Sequence, residues 1–356
     1  MSKLYGVISD SHGHAWSAFS TTLETGVNSR LQIILDEIKR AAQEVKDRGG
    51  NLLIHDGDVF HVRGSLAPSV LNPTQDTFRE IIESGVQVKI LSGNHDLESK
   101  TSNRLCSAVT ALESVGCTIV NELTIFEEEG IAMIPWNPSI NGNKDNIGLK
   151  AQIESIDPAI RHKLDLHLHA PIDGVIAGLP DHGLDDAYLA SLGFKRVFSG
   201  HYHNHKDFGN GVVSVGATTH QTWSDVGAKA GFLIVTDAKV EWRASWAPEF
   251  VEVDSDTDVA ELPLIVDGNY VRAKINSNKS GDIEALRAFL IKSGAKGVNI
   301  LPQKSMAASV SRTAAIAAGA TVEGSIGAYI SAGSFSNTGA LLLRCNDVLS
   351  RVRAAK

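Results

Sequence analysis

Asp10, His12, Asp58, Asn94, His169, His201 and His203 form a set of oxygen and nitrogen donors without sulfur. They arrive at the ends of apolar runs with strand character, where a rigid scaffold can present side chains to one point. This donor mixture suits Mn, Fe or Zn better than Mg or Ca, which favour oxygen alone. Seven donors are too many for one tetrahedral ion and suit two ions roughly 3.5–4 Å apart with one carboxylate between them. Asp58 is the natural bridge, because a carboxylate has two oxygens to divide. A pair of ions polarises a phosphoryl oxygen and lowers the pKa of a bridging water to near neutrality, so the chemistry expected is phosphoester hydrolysis.

A second tier surrounds this set. His95 follows a proposed ligand, and a histidine titrating near neutrality can bind a phosphate or protonate a leaving oxygen. His61 stands three residues beyond Asp58 and is weighed between the same work and structural support. Asp96 is expected to orient His95 rather than to ligate. Arg63, Arg104 and Lys100 are candidates to hold a substrate phosphate, against simple surface solvation. His55, His167, His182 and His205 are expected to be structural or solvent-facing, and Trp136 and Trp223 to pack in the core more readily than to stack on a base.

The elements that must position these residues follow from periodicity. Val7-Ile8 leads into Asp10-x-His12, where strand alternation would put both donors on one side. Asn28 caps a helix near 29–48, in which Leu31, Ile34, Leu35 and Ile38 recur at helical spacing. Leu52-Leu53-Ile54 runs into Gly57-Asp58, and a helix near 74–84 precedes the strand Val86–Ile90 and the loop Gly93-Asn94-His95-Asp96. A helix over 103–115, strands near 117–120 and 131–135, and a loop with a short helix over 139–160 follow. In Leu164–His169 the apolar residues alternate, so Asp165, His167 and His169 share the other face. A helix near 184–192 leads to Arg196–His203, and strands near 211–216, 230–236 and 239–246 complete the large domain, residues 1–248. An acidic connector then precedes a small α/β unit at 262–303, built of a strand at 270–275, a helix near 280–293 and a strand near 297–301. Residues 304–320 read as a linker, and 321–356 as a helical tail with helices at 321–331 and 337–354.

Composition bounds the rest. Of 356 residues 43% are hydrophobic and 21% charged, and no apolar run reaches a membrane span. Three cysteines and a start that runs straight into Lys3–Ile8 predict a reducing cytoplasm. The net charge is -8, yet residues 304–356 hold six bases against two acids, so the remainder is near -12. Such a body would not bind polyanions indiscriminately. Metal ions or a partner would have to offset its field.

Asp10-x-His12, Gly57-Asp58-x-x-His61, Gly93-Asn94-His95-Asp96, His169 and Gly200-His201-x-His203, in this order, resemble the calcineurin-like metallophosphoesterase superfamily. His61, Ile134-Pro135-Trp136 and Asp181–Leu184 leading into Val197–His203 are similar to the SbcD nuclease family, above all to phage recombination-endonuclease subunits. The segment from Gly216 through Trp223-Ser224-Asp225 to Phe232 resembles the strand-loop-strand that follows its last histidines. The resemblance implies a four-layer α/β/β/α sandwich of two mixed sheets with a small capping domain. It assigns Asp10, His12, Asp58 and His203 to one ion, and Asp58, Asn94, His169 and His201 to the second. His95 becomes the acid-side residue and His61 its helper. The implied activity is a Mn-dependent DNA exonuclease or endonuclease, with Fe, Zn or Mg as other metals. An SbcC-type ATPase would dock on the tail, and a homodimer is a further expectation. The rivals are a phosphomonoesterase or cyclic-nucleotide phosphodiesterase, and a non-catalytic subunit that binds DNA ends.

Overall fold

A computed structural model of the chain describes residues 3–99, 107–137, 147–275, 280–302, 321–333 and 335–354. Arg104, Lys100, the whole of the expected linker at 304–320 and the start of the expected helix at 103–115 lie outside the described residues.

Two six-stranded mixed sheets carry the large domain. The chain lays down Leu4–Ile8 (β1), Leu52–His55 (β2), Gln87–Leu91 (β3) and Thr118–Val120 (β4) in the first sheet. It crosses to the second for Thr124–Phe126 (β5), Ile131–Ile134 (β6), Asp165–His169 (β7), Arg196–Gly200 (β8), Lys206–Asp207 (β9) and Val212–Ser214 (β10). It then returns with Gly231–Thr236 (β11) and Val240–Ala244 (β12). The orders are β12-β11-β1-β2-β3-β4 and β5-β6-β7-β8-β10-β9. β1 to β4 are parallel, as are β6, β7 and β8, so their carboxyl ends emerge together.

Three apolar layers make this a four-layer sandwich. The helices Ser29–Asp47 (α1) and Pro68–Glu83 (α2) bury Leu31, Ile34, Ile38 and Phe78 against Ile8, Leu53 and Ile90 of the first sheet. Between the sheets lie Val7, Ile54, Leu91, Phe198, Val213 and Leu233. On the outside of the second sheet, Leu166 and Leu168 pack with Leu149 and Ile153 of Ile147–Glu154 (α3), and with Leu189 beyond Pro158–Arg161 (α4), on Asp186–Ser191 (α5). Asn28 caps α1 as expected, its Oδ1 accepting the N–H groups of Arg30 and Leu31. α2 begins at Pro68 rather than near 74, because Pro68 presets the first turn and Pro73 is accommodated within the helix. Ala108–Val115 coils as a 3-10 helix, tighter than the α-helix expected there. β5 is a short edge strand between the two strands expected near 117–120 and 131–135.

The face of β7 shared by Asp165, His167 and His169 points inward, toward the first sheet. Tyr5 of β1 donates to Asp165 at 2.8 Å, and His167 Nδ1 lies 2.9 Å from Asp56 beyond β2. Arg196 of β8 forks onto Asp165 at 2.8 and 2.9 Å, and Lys3 meets the same carboxylate at 2.7 Å. A fully paired ionic column thus joins the two sheets.

The small unit starts earlier than the sequence suggests. Phe250–Asp254 (β13), read as part of an acidic connector, pairs parallel with Tyr270–Ile275 (β14) beyond Leu262–Val266 (α6). With Ser280–Lys292 (α7) and Gly297–Pro302 (β15), the unit buries Val253, Val271, Leu290 and Ile300. Alternation of Val251 and Val253 with Glu252 and Asp254 is the strand signal that charge obscured. This unit and the large domain form one compact body. Phe19 stacks on Tyr270 with centroids 5.1 Å apart, and buried Arg30 lies over Trp16, Phe250 and Tyr270.

The tail is a separate body, in which Val322–Ala332 (α8) and Thr338–Ala354 (α9) appear as expected. A cavity of about 590 Å³ lies between them, lined by Ile326, Tyr329, Phe335 and Leu341. No described helix is long and apolar enough to cross a membrane.

Candidate metal centre

All seven predicted donors meet at the carboxyl ends of β1, β2, β3, β7 and β8. Asp10 and His12 follow β1, but strand alternation does not bring them together. Both adopt left-handed backbone, φ 49° and 47°, as do Asp58 at 58° and His201 at 101°. Asp10 N donates to Gly57 O and His12 N to Asp58 O, both at 3.0 Å, so the two loops brace each other. Asp10 Oδ2 accepts from Ser9 Oγ at 2.6 Å, the His201 N–H reaches Oδ2 at 2.9 Å and Oδ1 at 3.2 Å, and Oδ1 lies 3.9 Å from His12 Nε2.

Asp58 stands between two donor groups. Its Oδ1 accepts the His95 N–H at 2.7 Å. Its Oδ2 lies 3.6 Å from His12 Nε2 and 3.4 Å from His169 Nε2. One oxygen is therefore fixed and the other faces both histidines. On one side, His12 Nε2 and His203 Nε2 approach to 3.1 Å. On the other, His169 Nε2 and His201 Nδ1 lie 3.0 and 2.9 Å from Asn94 Oδ1. The ligand atoms of Asp10, His12 and His203, and those of Asp58, His169 and His201, each fall within 4.8 Å of one another. Lone-pair donors turned on each other at this range, with two carboxylates among them, fit cations between them. When bound, two such ions supply Lewis-acid polarisation of a phosphoryl oxygen and a water of lowered pKa.

Charge in the cradle follows from burial and pairing. Burial pushes the Asp10 carboxyl up to about 6 and His201 down to about 3. Burial also opposes charge on Asp58 and His169, but their proximity overrides it. His169 holds Asp58 well below the carboxylate range, and Asp58 lifts His169 to about 10.

The surrounding residues have distinct jobs. His95 Nδ1 donates to the His61 carbonyl at 2.6 Å, and the His61 and His95 rings stack at 5.4 Å and 15°. His61 Nδ1 faces His12 Nδ1 at 3.3 Å. Asp96 does not hold His95. Its carboxylate accepts the N–H groups of Gly93, Asp58 and Phe60, each at 2.9 Å, so it joins the loops after β2 and β3. Arg63 Nε is tied to Asn94 O at 2.7 Å. His167 and His55 are buried and structural, and Trp136 packs in the core, stacked on His201 at 5.2 Å. Sequence reasoning missed Asp56, whose carbonyl accepts from His169 Nδ1 at 2.6 Å. It did not name Gln221, and it quoted Asp225 only within the 216–232 segment and gave it no role, because their partners lie about 200 and 20 residues away along the chain.

Gly57 is required for this geometry. At φ 94° a Cβ would stand 2.4 Å from His169 Nδ1. Gly57→Ala is expected to displace His169 and lower kcat with saturating metal by about 100-fold, the order that a 1 Å misplacement costs. A wild-type kcat would show that His169 is not held there.

Fold and donor geometry together define a two-ion centre for phosphoester hydrolysis. The profile of the calcineurin-like phosphoesterases matches residues 4–205, and the chain belongs to that family. Among solved structures it is similar to a dimetal phosphatase from Danio rerio, at 11% identity and TM-score 0.41, over 68% of this chain and 96% of that one. It is also similar to the Pseudomonas putida nuclease MPE, at 13% identity and TM-score 0.30, over 67% and 87%. No curated protein matches the chain.

Proposed function

We propose that the chain is a Mn-dependent DNA nuclease of SbcD type that hydrolyses phosphodiester bonds. The observation that carries this reading is the size of the cavity over the donors. It holds about 170 Å³, between His61 and His95 on one side and Thr222 and Ser224 on the other. Pockets that enclose small ligands run from roughly 300 to 1,000 Å³. A space this small admits a phosphodiester group while the rest of the substrate lies outside, as in a polymer. Cyclic nucleotides and phosphomonoesters would be better served by an enclosing pocket. The resemblance of His61 and the 181–203 segment to SbcD nucleases supports the same reading. In it, an ATPase partner docks on the C-terminal helices, where Tyr329, Leu343, Val348 and Val352 are exposed.

His95 is the residue that meets the leaving oxygen. Its Nδ1 is engaged by the His61 carbonyl, so Nε2 is the nitrogen left for substrate. His95→Gln is expected to retain both ions by metal analysis and to slow cleavage about 10²–10⁴-fold, the usual contribution of a positioned acid. Full-rate cleavage would remove that role. The assignment itself is tested by incubating end-labelled duplex, single-stranded DNA, cyclic nucleotide and p-nitrophenyl phosphate with protein in Mn, in Mg and with EDTA. Cleavage of DNA in Mn supports it, and turnover confined to the small esters overturns it.

A further inference from the structure

The first-ion half of the centre is braced by a segment beyond the family match, 218–225. His203 Nδ1 lies 2.7 Å from Asp225 Oδ1. Asp225 is 3% exposed, and its Oδ2 accepts the N–H groups of Gln221 at 2.7 Å and Thr222 at 2.8 Å, so the carboxylate cannot swing away. From the same segment, Gln221 Nε2 donates to the carbonyls of Asp10 at 3.0 Å and Ser11 at 3.3 Å, and Thr218 N donates to Ser9 O. These are the carbonyls of the left-handed turn that aims Asp10 and His12.

We propose that Asp225 is the positioning residue for His203: as an acceptor it keeps the proton on Nδ1 and turns the Nε2 lone pair to the ion shared with Asp10 and His12. The opposite half shows the same logic with a different acceptor, the Asp56 carbonyl on His169 Nδ1. A carboxylate does more than a carbonyl, because its charge also strengthens the imidazole as a donor. The inference holds whichever phosphoester the centre cleaves.

Two readouts test it without turnover. In chelated protein labelled with 15N-histidine, with the His203 resonances assigned from His203→Gln, the wild type is expected to show the Nδ1–H tautomer and Asp225→Ala to lose it. Titration with Mn alone is expected to show affinity for one of two ions falling 10- to 100-fold in Asp225→Ala, with the other unchanged. Asp225→Asn, which keeps an acceptor oxygen without charge, falls between. An unaltered tautomer in Asp225→Ala, unchanged binding of both ions, or equal loss of both would overturn the assignment. Should Asp225→Ala not fold, Asp225→Asn decides alone: weakening at one ion supports it, and unchanged binding of both overturns it.

Discussion

Asp58→Asn is expected to lower phosphoester hydrolysis at saturating Mn by at least about 10³-fold. The oxygen that faces His12 at 3.6 Å and His169 at 3.4 Å is the one position common to both donor groups. An amide offers a single neutral acceptor there, and its NH2 end would turn donors on the ion or on the His95 N–H. Two ions are asked for several kcal/mol of transition-state stabilisation, and about 4 kcal/mol corresponds to 10³ in rate. Asparagine tolerates the left-handed backbone at this position, so the fold should survive the change. Initial rates on bis-p-nitrophenyl phosphate, with metal content measured on the same sample, check the prediction. A variant that keeps a tenth of the rate and both ions would rule out Asp58 as the bridge.

The second large effect falls on stability. Asp165→Asn is expected to cost about 3–5 kcal/mol, because it leaves the Arg196 guanidinium and the Lys3 ammonium without their countercharge between the sheets. For a chain of this size the melting temperature should fall by roughly 4–7 °C. Burial tends to raise the Asp165 carboxyl, but Arg196 and then Lys3 hold it below the usual carboxylate range. A carboxyl with a depressed folded-state pKa contributes stability that is present above its unfolded value, about 3.9, and lost as pH falls through the folded one. The wild type should therefore lose its advantage over Asp165→Asn on acidification below about pH 4. Thermal melts of both proteins in EDTA, from pH 3 to 7, give the difference directly. A constant gap across that range would show that the folded-state pKa of Asp165 is not depressed.

How much of this was legible depends on distance along the chain. The period-two pattern of Leu164–His169 showed that Asp165, His167 and His169 share a face, but not that the face is buried. Ordinarily the polar side of a strand meets water, and what reverses it here is Tyr5, Asp56, Lys3 and Arg196, remote residues that satisfy each group. Asp10-x-His12 was legible as a pair for a reason the structure replaces. Left-handed backbone at two non-glycine residues has no local signature strong enough to predict, and here it is imposed by the neighbouring 57–59 loop. The helix expected near 74–84 begins six residues earlier, at Pro68, and carries Pro73 internally. Asp96 sat beside His95 in sequence, and proximity along the chain misassigned its partner.

Asp10, His12, Asp58 and His201 hold their conformations against a cost of roughly 1–3 kcal/mol each. Hydrogen bonds between the loops support that cost, and none of those bonds needs an ion. The aperture is thus gauged by backbone that neighbouring loops secure, and the scaffold has a say in which radius of ion suits it.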